Sequence, residues 1–119
     1  MEEKGCFDIK VNRSSKTIDM LIEGTFDPAT VAEFASDYRN KVANLSIANA
    51  KQFKLIIDCK NMDVLTQEMM PYMENSFRLY QELGFVSMII IIPRSPVLKM
   101  QLNRMAKRTS FPNAIIVEI

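Results

Sequence analysis

The chain has 119 residues, of which 48% are hydrophobic and 24% are charged, and its formal net charge is +1. This length and composition indicate a single globular domain over residues 1–119, with a core of ordinary size. No apolar run reaches the ~18–20 residues of a membrane span, and the acidic start MEEKGCFDIK does not have the pattern of a signal peptide. We therefore expect a cytoplasmic protein in which Cys6 and Cys59 are reduced thiols.

The composition also argues against several kinds of catalytic and metal site. The sequence contains no histidine, so it cannot build a Ser-His-Asp triad, a Cys-His pair or a histidine metal site. Two distant cysteines cannot form a four-cysteine zinc site, and three scattered glycines do not form a phosphate-binding loop. We expect a protein that is not an enzyme and that uses no metal and no cofactor. The remaining enzymatic alternative, Asp58 or Asp63 acting with Lys60, lacks any sign of a substrate pocket.

Hydrophobic periodicity predicts five strands and three helices. Alternating apolar and polar side chains are typical of half-buried strands, whereas apolar residues spaced by three and four indicate helices. The pairs Asp27-Pro28 and Ser95-Pro96 combine a capping residue with proline and predict helix starts, and Gly84 predicts a helix end. In chain order the predicted elements are strands 6–11 and 17–24, a helix from Pro28 to Val42, strand 53–59, helix 68–84, strand 86–92, helix 95–108 and strand 114–117.

This order predicts an α/β fold of one domain with the succession β-β-α-β-α-β-α-β. Strands that alternate with helices imply a mostly parallel mixed sheet, in which the first hairpin supplies the antiparallel pair. The third strand contains the unbroken apolar run Leu55-Ile56-Ile57, which predicts burial on both faces of the sheet.

The element order and the stretch LIIDCKNMDVLTQEMM, residues 55–70, resemble the STAS domain. That family includes bacterial anti-sigma-factor antagonists and the cytoplasmic tails of sulfate transporters. The similarity lies in the hairpin FDIKV…IDMLIEGTFD, the helix start at Asp27-Pro28, the late Asp58 of LIIDC, and the pair Val64-Leu65 before the second helix. The resemblance implies a STAS-like fold across the chain and a non-enzymatic, regulatory role in signalling.

Antagonists of that family carry Asp-Ser-Ser/Thr-Gly at the start of the second helix. A partner kinase phosphorylates the second hydroxyl residue, and phosphorylation breaks the complex with the anti-sigma factor. On this chain the four positions fall on Thr66, Gln67, Glu68 and Met69, and none of them matches. Because the phosphorylatable motif is missing and Glu68 stands at the switch position, we expect a fixed interaction surface without a phospho-switch.

The start of the second helix is therefore the predicted binding surface for a protein partner. The resemblance implies an anti-sigma-like protein or a sensor or kinase component. Glu68 either imitates a phosphoserine in part or only complements the positive end of the helix, and Thr66 is expected to cap that end. Because neighbours in a helix lie ~100° apart, Met69 and Met70 cannot both face the core, and we expect one to be exposed. The candidate partner-binding residues are Asp58, Asp63, Thr66, Gln67, Glu68, Met69 and Met70.

Every charged residue between Pro93 and Thr109 is basic. These side chains either form a solvated helix face, favoured by the helix dipole, or a surface for an acidic partner. Opposite charges on this segment and on the second-helix entrance would suit protein docking or a homodimer. No aromatic residue interleaves the basic stretch, so we expect no nucleic-acid partner. The candidate basic patch consists of Arg94, Lys99, Arg104, Lys107 and Arg108.

An alternative function is the binding of a small apolar ligand or of anionic lipid. A STAS-like sheet resembles that of lipid-transfer domains, and the basic third helix could contact anionic head groups. Contact with a membrane surface is the less expected of the two roles.

Overall fold

The structure, a computed structural model, describes residues 5–45, 47–111 and 113–119. Its order of elements confirms the predicted α/β fold with a five-stranded mixed sheet. A short helix in the loop after the first long helix is an addition to the prediction. The strands are β1 (Cys6–Asn12), β2 (Thr17–Glu23), β3 (Lys54–Asp58), β4 (Ser87–Ile92) and β5 (Ala114–Glu118). The helices are α1 (Pro28–Val42), α2 (Ile47–Ala50), α3 (Met70–Leu83) and α4 (Pro96–Arg108).

The five strands lie in the sheet in the order in which they occur in the chain, β1-β2-β3-β4-β5. The β1–β2 hairpin is antiparallel, and each later strand pairs in parallel with the one before it. Crossovers between parallel strands are right-handed. Because every crossover here also steps in the same direction, α1, α3 and α4 all lie on one face of the sheet.

The core fills the space between these helices and that face of the sheet. Aromatic rings of α1 and α3 meet at its centre, where the ring centroids of Tyr38 and Tyr80 are 5.3 Å apart and those of Phe34 and Tyr80 are 6.4 Å apart. Both pairs meet edge to face, which adds to the stabilisation from burial alone. The buried strand residues of the three inner strands are Ile18, Met20, Ile22, Leu55, Ile57, Met88, Ile90 and Ile92.

The opposite face of the sheet is covered by no helix of the described residues. In β3 the side chains of Leu55 and Ile57 are buried, whereas Ile56, which points to the opposite face, is partly exposed. The prediction that the run at residues 55–57 is buried on both faces is therefore wrong. An apolar run cannot show on its own whether the helices around it lie on one side of the sheet or on both.

The helix ends follow the local sequence signals. An Asp27 carboxylate oxygen accepts a hydrogen bond from the Thr30 N–H at 2.8 Å, and Ser95 Oγ accepts one from the Leu98 N–H at 3.2 Å. Gly84 ends α3 with a φ of 73°, a left-handed conformation that costs glycine little. The predicted caps at these three positions are confirmed.

Because helices cover only one face of the sheet, truncation of two adjacent residues of β3 is expected to lower the free energy of unfolding by different amounts. Ile57→Ala is expected to lower the free energy of unfolding by ~2–5 kcal/mol, because it leaves a cavity in the core. Ile56→Ala removes the same atoms from a partly exposed site and is expected to cost clearly less. Urea denaturation of both variants at one low protein concentration measures the difference. Equal losses would contradict the one-sided arrangement of the helices.

Candidate functional site

The loops after β2 and β3 run side by side at the carboxyl ends of the parallel strands. Gly24 and Met62 form an isolated β-bridge. The Gly24 N–H donates to the Asn61 carbonyl at 2.9 Å, and the Asp63 N–H donates to the Gly24 carbonyl at 3.1 Å. The Thr25 hydroxyl donates a further hydrogen bond to the Asp63 carboxylate. These bonds join the two loops at the sheet edge where open α/β sheets place their binding residues.

Gln101 of α4 fixes the second loop from the other side. Its Nε2 donates to the Leu65 carbonyl at 2.9 Å, and its Oε1 accepts from the Leu65 N–H at 3.2 Å. One side-chain amide thus satisfies both backbone groups of a loop residue, as a neighbouring strand would. Gln101 is not among the predicted site residues, because a glutamine 36 positions away from its partner carries no local signal.

The predicted interaction residues 66–68 stand at the entrance to α3. A 3₁₀ turn over Gln67–Met69 leads into the helix, and Pro71 lies in its first turn, so the helix begins no earlier than predicted. Thr66 is the N-cap residue of the 3₁₀ turn, with an extended backbone, but its side chain makes no capping hydrogen bond, and Met69 occupies the N-cap position of α3 itself. The expectation that Thr66 caps the second helix is therefore wrong, because a 3₁₀ turn separates it from that helix. Thr66, Gln67 and Glu68 are all exposed to solvent.

The two methionines that follow contribute less exposed surface than expected. Met69 is only 6% exposed, and Met70 is half-buried and packs against the core. Exposed apolar area comes instead from Val64 and Tyr72, which are 47% and 36% exposed. Neither Val64 nor Tyr72 is among the predicted partner-binding residues. We call the exposed residues around the start of α3 the helix-entrance surface, and they are Asp63, Val64, Thr66, Gln67, Glu68 and Tyr72.

Asp58, predicted to belong to the partner-binding set, lies elsewhere. It ends β3, and its neighbours in the sheet are Leu21 of β2 and Ile91 of β4 on the helix-free face. One Asp58 oxygen accepts from the Lys60 N–H at 3.1 Å, and the other lies 3.5 Å from Lys60 Nζ. Side chains alternate along a strand, so the residue after buried Ile57 must face away from the helices. The grouping of Asp58 with the helix entrance is therefore corrected.

An apolar cavity lies beneath the helix entrance. Side chains of β2, α1 and α3 and of the adjoining loops line it, among them Ile22, Phe34, Met62, Met69 and Tyr80. Its volume is about 30 Å³, which is space for one or two water molecules. Small-molecule sites enclose ~300–1,000 Å³, so this cavity has no room for an apolar ligand of ordinary size.

The candidate basic patch follows the outer side of α4 beside β5 and is partly neutralised. Lys99 Nζ lies 2.9 Å from a Glu118 carboxylate oxygen, and an Arg108 guanidinium nitrogen lies 3.5 Å from one of Glu74. Both pairs are partly exposed, so each stabilises the fold only weakly. The exposed members of the patch that form no ion pair with a described residue are Arg94, Arg104 and Lys107.

Within the described ranges, no three or more Cys, Asp or Glu side chains are grouped so that they could hold a metal ion. None of the helices in those ranges is long and apolar enough to cross a membrane. Comparison with protein-family models, with curated proteins and with solved structures gives no significant match. The resemblance to the STAS domain therefore stays a prediction, and the function has to be argued from the geometry of the chain.

Removal of the Gln101 amide is expected to loosen the loop before α3. Gln101→Leu leaves both backbone groups of Leu65 without their partner, and we expect a loss of ~1–3 kcal/mol in the free energy of unfolding. Amide hydrogen exchange at Leu65 should become faster. Gln101→Glu keeps an acceptor for the Leu65 N–H but loses the donor to the Leu65 carbonyl, so exchange at Leu65 should be slower in this variant than in Gln101→Leu. Unchanged exchange at Leu65 in Gln101→Leu would show that the amide does not hold the loop.

Three buried side chains near the site have raised pKa values. Burial, followed by the charge of Asp58, raises the pKa of the Cys59 thiol to about 12. Burial, followed by interactions with Tyr38 and Cys59, raises the pKa of Tyr80, and burial together with Glu82 raises that of Tyr38. All three side chains are therefore neutral in the folded chain at physiological pH.

These shifts predict a loss of stability at alkaline pH. In the unfolded chain a thiol ionises near pH ~8.5 and tyrosine near pH ~10. The raised pKa values therefore contribute fully to the stability of the fold below those pH values, and this contribution is lost as the pH rises towards the pKa values of the folded chain. The free energy of unfolding, from denaturant titrations at increasing pH, should fall from about pH 9 upwards. Cys59→Ala should flatten the first part of that fall. A slope equal to that of the wild type would contradict the raised pKa of Cys59.

Proposed function

We propose that this chain is a regulatory, non-enzymatic protein-interaction module of the STAS type that binds a protein partner through the helix-entrance surface. The observation that carries this proposal is the exposure of Val64, Glu68 and Tyr72 where a loop that is fixed at its start and its middle leads into α3. The Gly24 bridge fixes the start of that loop, and the Gln101 amide fixes its middle.

The composition of the surface suits a protein interface. Aromatic residues are enriched at the centre of interfaces, where they act as anchors, and polar side chains form the rim. Tyr72 supplies an aromatic ring, Val64 supplies aliphatic area, and Thr66 and Gln67 supply hydrogen-bonding groups. Because the loop is already ordered by the bonds described above, binding does not have to order it, and less conformational entropy is lost.

The charge of the surface indicates the kind of partner. Asp63 and Glu68 are both exposed, and Glu68 forms no ion pair with a described residue. A partner with a basic contact region would complement them and would be guided to this end of the sheet. Glu68 carries its charge permanently, so binding here does not depend on phosphorylation at that position. The resemblance to STAS domains suggests an anti-sigma-like protein or a sensor or kinase component as the partner.

The geometry favours this function over the binding of a small apolar ligand. The cavity beneath the helix entrance holds only about 30 Å³. Anionic lipid would have to use the outer side of α4, where Lys99 and Arg108 already face Glu118 and Glu74. Only Arg94, Arg104 and Lys107 of the patch form no ion pair with a described residue, and contact with anionic lipid through them stays the alternative function.

The double variant Val64→Asp, Glu68→Arg tests the proposal. It changes one exposed apolar residue and one exposed charge and is expected to weaken partner binding by at least ~30-fold, since hot-spot losses reach 2 kcal/mol or more. The matched control is Val86→Asp, Glu82→Arg, which makes the same two substitutions at exposed positions near the other end of α3. Partners recovered from the native cytoplasm with each immobilised protein give the readout.

The control should recover the same partners as the wild type, and the Val64, Glu68 variant should lose them. If both variants retain the partners, the binding surface lies elsewhere on the chain. Mass spectrometry of the native protein should find no phosphate on Thr66. Phosphate at that exposed hydroxyl would contradict a surface without a phospho-switch.

A further inference from the structure

The helix-free face of the sheet has a charged half and an apolar half. The strand pairing defines two rows of side chains that run across all five strands. The first row is Asp8, Leu21, Asp58, Ile91 and Val117. The second row is Lys10, Asp19, Ile56, Ile89 and Ile115. Every residue that β4 and β5 contribute to these rows is isoleucine or valine, so the apolar half is continuous.

An aliphatic face of this kind is unusual on parallel strands. Sheets of parallel strands are almost always covered on both faces, whereas open faces are typical of antiparallel sheets with polar outer residues. Here Ile115 is 54% exposed and Val117 is 38% exposed, and Ile56, Ile89 and Ile91 are partly exposed beside them. Continuous exposed apolar area marks an interaction site, because scattered single residues would be the ordinary case.

We infer that this face is the interface between two copies of the chain, which pack sheet against sheet. Five strands spaced by ~4.8 Å, each rising ~3.3 Å per residue, make a face of roughly 400–550 Å² in projection. Side chains that project from the sheet make the accessible area larger than this projected area and bring it towards the ~800 Å² per partner of a standard interface. A second sheet of the same twist can pack on this face at the usual spacing of ~10 Å, with the strand directions of the two sheets within about 30° of each other.

The distribution of charge favours a second copy over an unrelated partner. A twofold axis between the two rows and perpendicular to the strands would lay each strand antiparallel on its own counterpart. The apolar residues of β4 and β5 would then meet each other, Ile89 opposite Ile91 and Ile115 opposite Val117. On β1, Asp8 and Lys10 now form an exposed pair 3.7 Å apart. The same axis would bring Lys10 of each copy opposite Asp8 of the other, so β1 and the apolar residues of β4 and β5 match their own counterparts. On β2 and β3 it would set Asp19 opposite Leu21 and Asp58 opposite Ile56. These two carboxylates keep the partners they have within one copy, the Thr17 hydroxyl and the Lys60 ammonium group.

Ile115→Glu tests the inference without a risk to folding, because Ile115 is largely exposed at the edge strand. We expect the wild type to be dimeric in sedimentation velocity across ~10–100 µM protein, and the variant to be monomeric in the same range. Met100→Glu is the matched control, since Met100 is 53% exposed on α4 in the other layer and should stay dimeric. A monomeric wild type, a dimeric Ile115→Glu variant or a monomeric Met100→Glu variant would each overturn the inference.

A charge exchange on β1 tests the orientation of the two copies. Asp8→Lys alone would place lysine opposite lysine and is expected to weaken the dimer several-fold. The double variant Asp8→Lys, Lys10→Asp restores opposite charges across the proposed axis and should recover the dimer. Recovery supports the axis, and a double variant as weak as Asp8→Lys alone overturns it. Both measurements are independent of partner binding at the helix entrance, so they separate the dimer from the proposed function.

Discussion

The handedness of the crossovers is the constraint on which the rest of this structure depends. A connection between two parallel strands turns to the right, and each connection here leads to the next strand in the same direction across the sheet. The helices must then collect on one face. This single fact places the aromatic core between α1, α3 and the sheet, and it leaves the other face without a helix from the described part of the chain. Because β2 and β3 are parallel, the loops after them lie together at one edge of the sheet, where the helix-entrance surface forms.

The helix entrance depends on contacts that come from distant parts of the chain. The loop before α3 is bonded to the loop after β2 through Gly24 and to α4 through Gln101. Each of these contacts satisfies backbone groups that would otherwise require water. The position of Val64, Glu68 and Tyr72 is therefore set by the packing of the whole domain. A surface held in this way can recognise a partner without first becoming ordered, which is the physical basis of the proposed interaction role.

The sequence was sufficient for those features that depend on neighbouring residues. The caps at Asp27 and Ser95 and the end at Gly84 are local, and their positions were correct. Properties of the sheet as a whole were harder to predict. The run at residues 55–57 has the same apolar pattern whether one or both faces are covered, so the exposure of Ile56 could not be read from it. Whether helices cover one face or both depends on the order of the strands in the sheet. That order depends on contacts between distant residues, and the hydrophobic periodicity of a segment does not predict it.

The same limit explains the errors in the candidate site. Asp58 was grouped with the helix entrance because it is close in sequence, but the alternation of side chains along β3 turns it to the other face. Gln101 was missed because its partner Leu65 is remote in the chain. Val64 was noted only as part of an apolar pair, and its exposure depends on the loop geometry. Residues 66–68 lie directly before α3 as predicted, because the start of a helix is a local feature, and their role in partner binding stays a prediction.

The two proposed surfaces have a joint consequence. The helix entrance lies at the carboxyl ends of the strands, whereas the proposed dimer interface is the helix-free face. Antiparallel stacking of two sheets would therefore leave both helix entrances accessible, at opposite ends of the dimer. Two equivalent binding sites on one particle allow bivalent attachment to a partner that is itself dimeric or clustered, and linked binding of this kind can exceed the affinity of either site by ~10²–10⁴-fold. Under the proposed function, which involves no phospho-switch, the strength of binding would depend on the concentration of the chain itself, because dimerisation would set it.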